Sequence, residues 1–159
     1  MKSVSTLLDI LQANPGDRTA IIVPELDVRI SYDQLREQVF SMAETLSGAG
    51  IGRGDRIAIV LPNGLPAIIC FLAASLVGTA APMNPSYRAE EFSFFLEDTG
   101  AKLMICGSTG SGEACKAAGD YLPVLAAVED EDGWVQLQSS MNLTQNNNYA
   151  IFYFNFFLV

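Results

Sequence analysis

Two rhythms of apolar and polar residues take turns along this chain. In "SYDQLREQVFSMAETLSGAG", Leu35, Val39, Met42 and Leu46 recur at helical spacing. Ser31 precedes them with Gln34 three residues on, a capping box, and Gly48 and Gly50 stop the run. "DRIAIVLP" then shows no polar alternation after Arg56, which predicts a strand covered on both faces. The exchange repeats downstream. A helix is predicted over 66–77, a short strand over "TAAPM", and a helix over "AEEFSFFLEDTG" with Phe92, Phe95 and Leu96 on one face. "AKLMIC" reads as a buried strand, "GEACKAAGDYL" as a short helix and "VLAAVED" as a strand. Ahead of these lie a short helix over 4–13, with Leu7, Leu8 and Leu11 on one face, and two strands, "TAIIVP" and "DVRIS", around a turn at Pro24 to Asp27. Alternating strands and helices of these lengths predict right-handed βαβ units. The fold class is α/β: a doubly wound, mainly parallel sheet with helices on both faces.

Residues 57–87 carry no charge, so a membrane span has to be weighed. Pro62, Asn63, Gly64 and Pro66 interrupt the run on one side, and Gly78 and Pro82 on the other. Ala67 to Val77 is too short to cross a bilayer and predicts a helix packed on buried strands.

The chain has 159 residues, half of them hydrophobic and 17% charged, enough for one domain with a core. The formal net charge of -9 argues against a nucleic-acid partner. The absence of histidine excludes His-based triads, bases and metal sites. Cys70, Cys106 and Cys115 are odd in number and lack a CxxC spacing, which fits reduced thiols in a cytosol-like compartment. "MKSVSTLLDILQANPGD" lacks the apolar core of a signal peptide.

Glycine-rich and acidic stretches offer candidate chemistry. "GAGIGRGD" at 48–55 misses the GxGxxG spacing and follows a helix, so it reads as a helix end plus a turn. "GSTGSGEACK" at 107–116 sits between a strand and a helix, where backbone N–H groups can hold phosphate. However, Gly112 is followed by Glu113 and Ala114 and not by Lys and Ser/Thr, and a surface loop is the expectation. Glu90-Glu91, Glu97-Asp98 and Glu129 to Asp132 read as solvated helix faces and a loop. The sequon "NLT" at 142–144 carries little weight without a secretion signal.

Taken in order, "ISYDQLREQVFSMAETLSGAGIGRGDRIAIVLPN" and "FLAASLVGTAAPMNPSYRAEEFSFFLEDTGAKLMI" resemble the N-terminal part of AMP-forming acyl-CoA synthetases. That superfamily includes luciferases and peptide adenylation domains. The likeness covers roughly residues 4–128, and "AAPMNPSYRAEEFSFFLEDT" is most similar to the oxalate–CoA ligase and peroxisomal-CoA-synthetase-like branch. The resemblance implies a two-step reaction. A carboxylate attacks the α-phosphate of MgATP to give an acyl-adenylate and pyrophosphate, and coenzyme A then displaces AMP. It also implies that the catalytic parts lie downstream of the matched region. These are a Ser/Thr/Gly-rich loop ending in Pro-Lys-Gly, an adenine-binding segment, an acidic ribose contact and a lysine on a mobile C-terminal domain. "GSTGSGEACK" comes too early and lacks Pro-Lys-Gly. No catalytic or metal-binding residue is therefore assigned, and no cofactor is expected for this chain, although the family uses ATP, Mg²⁺ and CoA. The region after "NPSY" lies near the coenzyme A entrance in the family, which makes Arg88 a candidate contact to a CoA phosphate. An Arg beside Glu91 or another acid, solvated, is the structural alternative.

Near residue 138 the composition changes. "SSMNLTQNNNYAIFYFNFFLV" is rich in residues written with A/T-rich codons and is uncharged. The expected organisation is a partial N-terminal subdomain over 1–138 and a non-family tail over 139–159, read as translated intron or out-of-frame sequence. A genuine last strand is the rival reading. The functional expectation is a truncated acid–CoA ligase, inactive as this chain and cytoplasmic, with a peroxisomal location open for a full-length form. The alternatives are a non-catalytic partner of a full-length ligase and an independent flavodoxin-like binding domain.

Overall fold

The computed structural model describes residues 6–108 and 112–139. The chain opens with helix α1 (Leu7–Ala13), capped by Thr6, whose hydroxyl accepts from the Asp9 N–H at 3.1 Å. Of the predicted apolar face, Leu11 is buried and Leu7 is exposed. Strands β1 (Thr19–Val23) and β2 (Val28–Ser31) form a separate antiparallel hairpin, outside the main sheet. The turn between them ends at Asp27 with φ 52, a left-handed conformation that Asp tolerates better than most side chains. Helix α2 (Tyr32–Gly48) begins with the predicted capping box: the Ser31 hydroxyl accepts from the Gln34 N–H, and Gln34 Oε1 accepts from the Ser31 N–H. Arg36 on α2 donates to the carbonyls of Leu11 and Asn14 at 2.8 and 3.1 Å, which satisfies carbonyls left open at the end of α1.

The main sheet follows as β3 (Arg56–Val60), β4 (Thr79–Pro82), β5 (Leu103–Gly107), β6 (Val124–Glu129) and β7 (Val135–Ser139). Helices α3 (Leu65–Val77), α4 (Ala89–Thr99) and α5 (Gly112–Ala118) form the crossovers. The spatial order is β4-β3-β5-β6-β7, parallel through β6 and antiparallel at β7. From β3 the chain steps outward to β4 through α3, then back past β3 to β5 through α4. Crossovers running in opposite directions keep one hand only by lying on opposite faces, and the packing shows this. Ile57, Ile59, Leu103 and Ile105 face α2 and α3, whereas Ala58, Val60 and Met104 face α4 and α5. Both parities are apolar because both faces are covered, and for that reason "RIAIV" and "LMIC" read as unbroken runs.

The helix predicted over 66–77 is α3, which buries Ile69, Cys70, Ala73 and Ala74 against the sheet. Among the described residues no helix is long and apolar enough to cross a membrane. In α4, Phe92 and Leu96 are buried as expected, while Phe95 is half-buried under the Tyr87 ring. Strand β7 is the element that was not foreseen. It closes the sheet, paired with β6 from Glu129↔Val135 to Leu125↔Ser139. The uncharged tail discussed above lies outside the described residues beyond 139.

Candidate functional site

In an open, doubly wound sheet the ligand crevice forms at the carboxyl ends of strands where the order reverses. Here that point lies between β3 and β5, which are followed by Leu61–Gly64 and by Ser108. Beside it, an open groove of about 880 Å³ runs between the start of α3 and the segment after β4. Its walls include Leu61, Ile68, Phe71, Pro82 and Met83, and its polar groups are Asn63 and Asn84. Among the described residues no titratable side chain lines it. The groove can hold apolar matter, and its described lining offers no acid, base or nucleophile.

The segment "NPSYR" leads away from this groove, which Asn84 and Pro85 line, and is built as a turn. Asn84 Oδ1 accepts from the Ser86 N–H at 3.0 Å, and the Asn84 carbonyl accepts from the Tyr87 N–H at 3.1 Å. The Tyr87 ring then stacks on Phe95 at 5.1 Å and meets Phe92 edge-on at 5.7 Å. The turn thereby braces α4 against the sheet.

Arg88 follows as the residue before α4 and is exposed. Its backbone N–H donates to Glu91 Oε2 at 2.9 Å, and the next N–H, of Ala89, donates to Glu113 Oε2 at 3.0 Å. Two carboxylates therefore occupy the positive end of α4, where a phosphate would otherwise be received. Among the described residues the Arg88 guanidinium forms no ion pair, so the structure sets it apart from the acids that cap the helix beneath it. The role of Glu113 was not legible in the sequence, because its partner lies 24 residues away.

The remaining motifs resolve into structural devices. In "GRGD", Asp55 Oδ2 accepts from the Gly52 N–H at 2.8 Å and from Lys102 Nζ at 2.9 Å, and Lys102 also donates to the Gly50 carbonyl at 2.7 Å. The Lys102 ammonium, then the Gly52 N–H, hold the Asp55 carboxyl below the usual carboxylate range. "EDED" is the β6–β7 hairpin turn. Asp130 Oδ1 accepts from the N–H groups of Asp132 and Trp134 at 3.1 and 2.8 Å, and Gly133 takes φ 75. Glu129 Oε1 is buried without a hydrogen-bond partner among the described residues. Burial, with Asp130 and Glu25 nearby, pushes the Glu129 carboxyl up. Cys70 and Cys106 are buried, and burial pushes both thiols up to about 12, so neither is a nucleophile at neutral pH.

Gln38 is the buried polar residue that the helical pattern did not reveal. Its Nε2 donates to the Gly133 carbonyl, and its Oε1 accepts from the Val135 N–H, both at 3.0 Å. One amide thus joins the middle of α2 to the start of β7.

Among the described residues no group of His, Cys, Asp and Glu could hold a metal ion. The donors present also suit a nucleoside triphosphate poorly, since carboxylates close the α4 terminus and the groove is uncharged.

The class this defines is the N-terminal α/β part of an adenylate-forming ligase, and solved structures agree. Apo MatB from Rhodopseudomonas palustris superposes with a TM-score of 0.66 at 26% identity, over 84% of this chain and 26% of that one. The N-terminal domain of FACL13 from Mycobacterium tuberculosis gives 0.59 at 34% identity, over 65% of this chain and 27% of that one. The chain belongs to the AMP-binding enzyme family, which matches residues 9–150. A probable CoA ligase of Humulus lupulus, CCL9, is 36% identical over 144 residues, covering 88% of this chain and 27% of that protein. An oxalate–CoA ligase of Arabidopsis thaliana is 36% identical over 118 residues, covering 73% of this chain and 23% of that protein. The chain therefore spans about a quarter of the length of these relatives.

Proposed function

We propose that this chain supplies the scaffold of an AMP-forming acid–CoA ligase and does not form an acyl-adenylate alone. The observation that carries the reading is the switch-point geometry. The described residues form the sheet order that creates a reversal point, but the described groups beside it are apolar or are carboxylates that cap a helix. Adenylate formation develops negative charge on phosphate oxygens and needs preorganised donors, Lys and Mg²⁺ around them. Loss of a single such donor costs roughly 3 kcal/mol, so a chain without the set falls below detection. ATP, Mg²⁺, CoA and a small carboxylic acid belong to the complete enzyme in this reading, and its expected compartment is the cytoplasm. The purified chain, mixed with MgATP, CoA and a panel of carboxylic acids, is expected to release no acid-dependent pyrophosphate. Acid-dependent release by pure protein overturns the reading.

Arg88 is our candidate for a contact to a CoA phosphate in the complete enzyme. Its exposed place three residues on from Pro85, the last residue of the groove wall, supports this. In a full-length relative carrying this segment, R88A is expected to raise KM for CoA about five-fold with kcat unchanged, about 1 kcal/mol for an exposed contact. An unchanged KM removes the assignment.

A further inference from the structure

The chain holds one asparagine–glycine step, Asn63-Gly64, and it stands in the loop that carries β3 to α3. Both residues are exposed. Among the described residues no hydrogen bond engages the Asn63 amide or the Gly64 N–H. Gly64 takes φ 156, a conformation that residues with side chains rarely adopt, so the loop favours glycine here. With no Cβ beside it, the Gly64 nitrogen can approach the side-chain carbonyl before it. Asn63 is also one of the two polar residues that line the groove.

We propose that Asn63 is a self-modifying site, which the folded chain converts to aspartate and isoaspartate with water as the co-reactant. The Gly64 nitrogen attacks Asn63 Cγ. An N–C bond forms, the Cγ–Nδ2 bond breaks, and the amide group leaves with the Gly64 proton as ammonia. Water then opens the cyclic imide at either carbonyl, and the nitrogen regains a proton. One water enters, one ammonia leaves, and nothing is oxidised or reduced. The product brings a carboxylate into a groove whose described lining has none. That charge stands one residue ahead of Gly64, the N-cap of α3, where no side chain caps the helix, so a positive helix end favours it.

Two neighbouring cases show what the fold contributes. Asp132-Gly133 can close the same ring by loss of water, but Gly133 is buried and its N–H donates to the Asp130 carbonyl at 3.1 Å. Asn84 lines the same groove, but Pro85 follows it, and the proline nitrogen has no proton to give up.

The test incubates the folded full chain in heavy-oxygen water at neutral and mildly alkaline pH and maps its peptides over time. A parallel sample is held unfolded in denaturant. The expected result in the folded chain is one heavy oxygen at position 63, in a mixture of aspartyl and isoaspartyl peptides. It should form faster at the higher pH, because the deprotonated nitrogen attacks. Asp132 is expected to stay unchanged until the chain is unfolded. An isoaspartyl methyltransferase is expected to label the aged chain in this peptide, and N63Q is expected to lose that label. An Asn63 that stays intact in the folded chain while the unfolded sample converts overturns the proposal. Equal conversion of Asp132 in the folded chain, or a label at this peptide that persists in N63Q, also overturns it.

Discussion

Gln38 shows how much a single side chain can hold. Its amide satisfies one carbonyl and one N–H of buried residues, and a side chain of similar length without polar atoms strands both. Gln38→Met is expected to cost about 2–3 kcal/mol and to lower Tm by about 5–10 °C in a thermal melt. A melt unchanged by the substitution would mean that water reaches those groups. Glu129 is a second residue whose cost is specific. Its carboxyl titrates higher in the folded than in the unfolded chain, so the folded state favours the proton. The penalty is absent below the unfolded pKa, grows as pH rises through the interval between the two values, and is complete above the folded one. Glu129→Gln is expected to raise stability at pH 7, by less than about 1 kcal/mol because the group is partly exposed, and to leave it unchanged below about pH 4. An equal gain at both pH values would point to packing and not to charge.

Legibility from sequence differed sharply between elements, and the reasons are physical. The capping box at Ser31, the buried runs of β3 and β5, and the Pro/Gly stops around α3 are local signals, so they could be read. Strand β7 carries a weaker signal. Asp132-Gly133 stands ahead of alternating Val135 and Leu137, a hairpin pattern masked by the acidic run before it. Gln38 and Glu113 were illegible for another reason. A glutamine on a helix and a glutamate after a glycine loop both read as solvated, and their partners lie 95 and 24 residues away. At the candidate site, Arg88 could be singled out only through likeness to a family, because no local pattern distinguishes it from other exposed arginines.

At the scale of the molecule, one sheet separates two apolar cores, and β7 is the strand that completes the larger of them through Val135 and Leu137. Stability is therefore expected to depend on the chain through Ser139 and not on the residues beyond it. A chain ending at 139 is expected to keep a cooperative melt within about 1 kcal/mol of the full chain. A chain ending at 130 is expected to lose that melt, because Gln38 and the inner face of β6 are left uncovered. If removal of 140–159 unfolds the remainder, the tail is structural and its reading as foreign sequence fails. The Gln38 bridge has a consequence for motion as well. The Val135 N–H is held by a helix and not by a neighbouring strand, so fraying of the β6–β7 pair alone does not release it to solvent. Deuterium uptake at that amide therefore reports the undocking of α2 from the sheet, and it should proceed in step with the slowest-exchanging amides of β3 and β5.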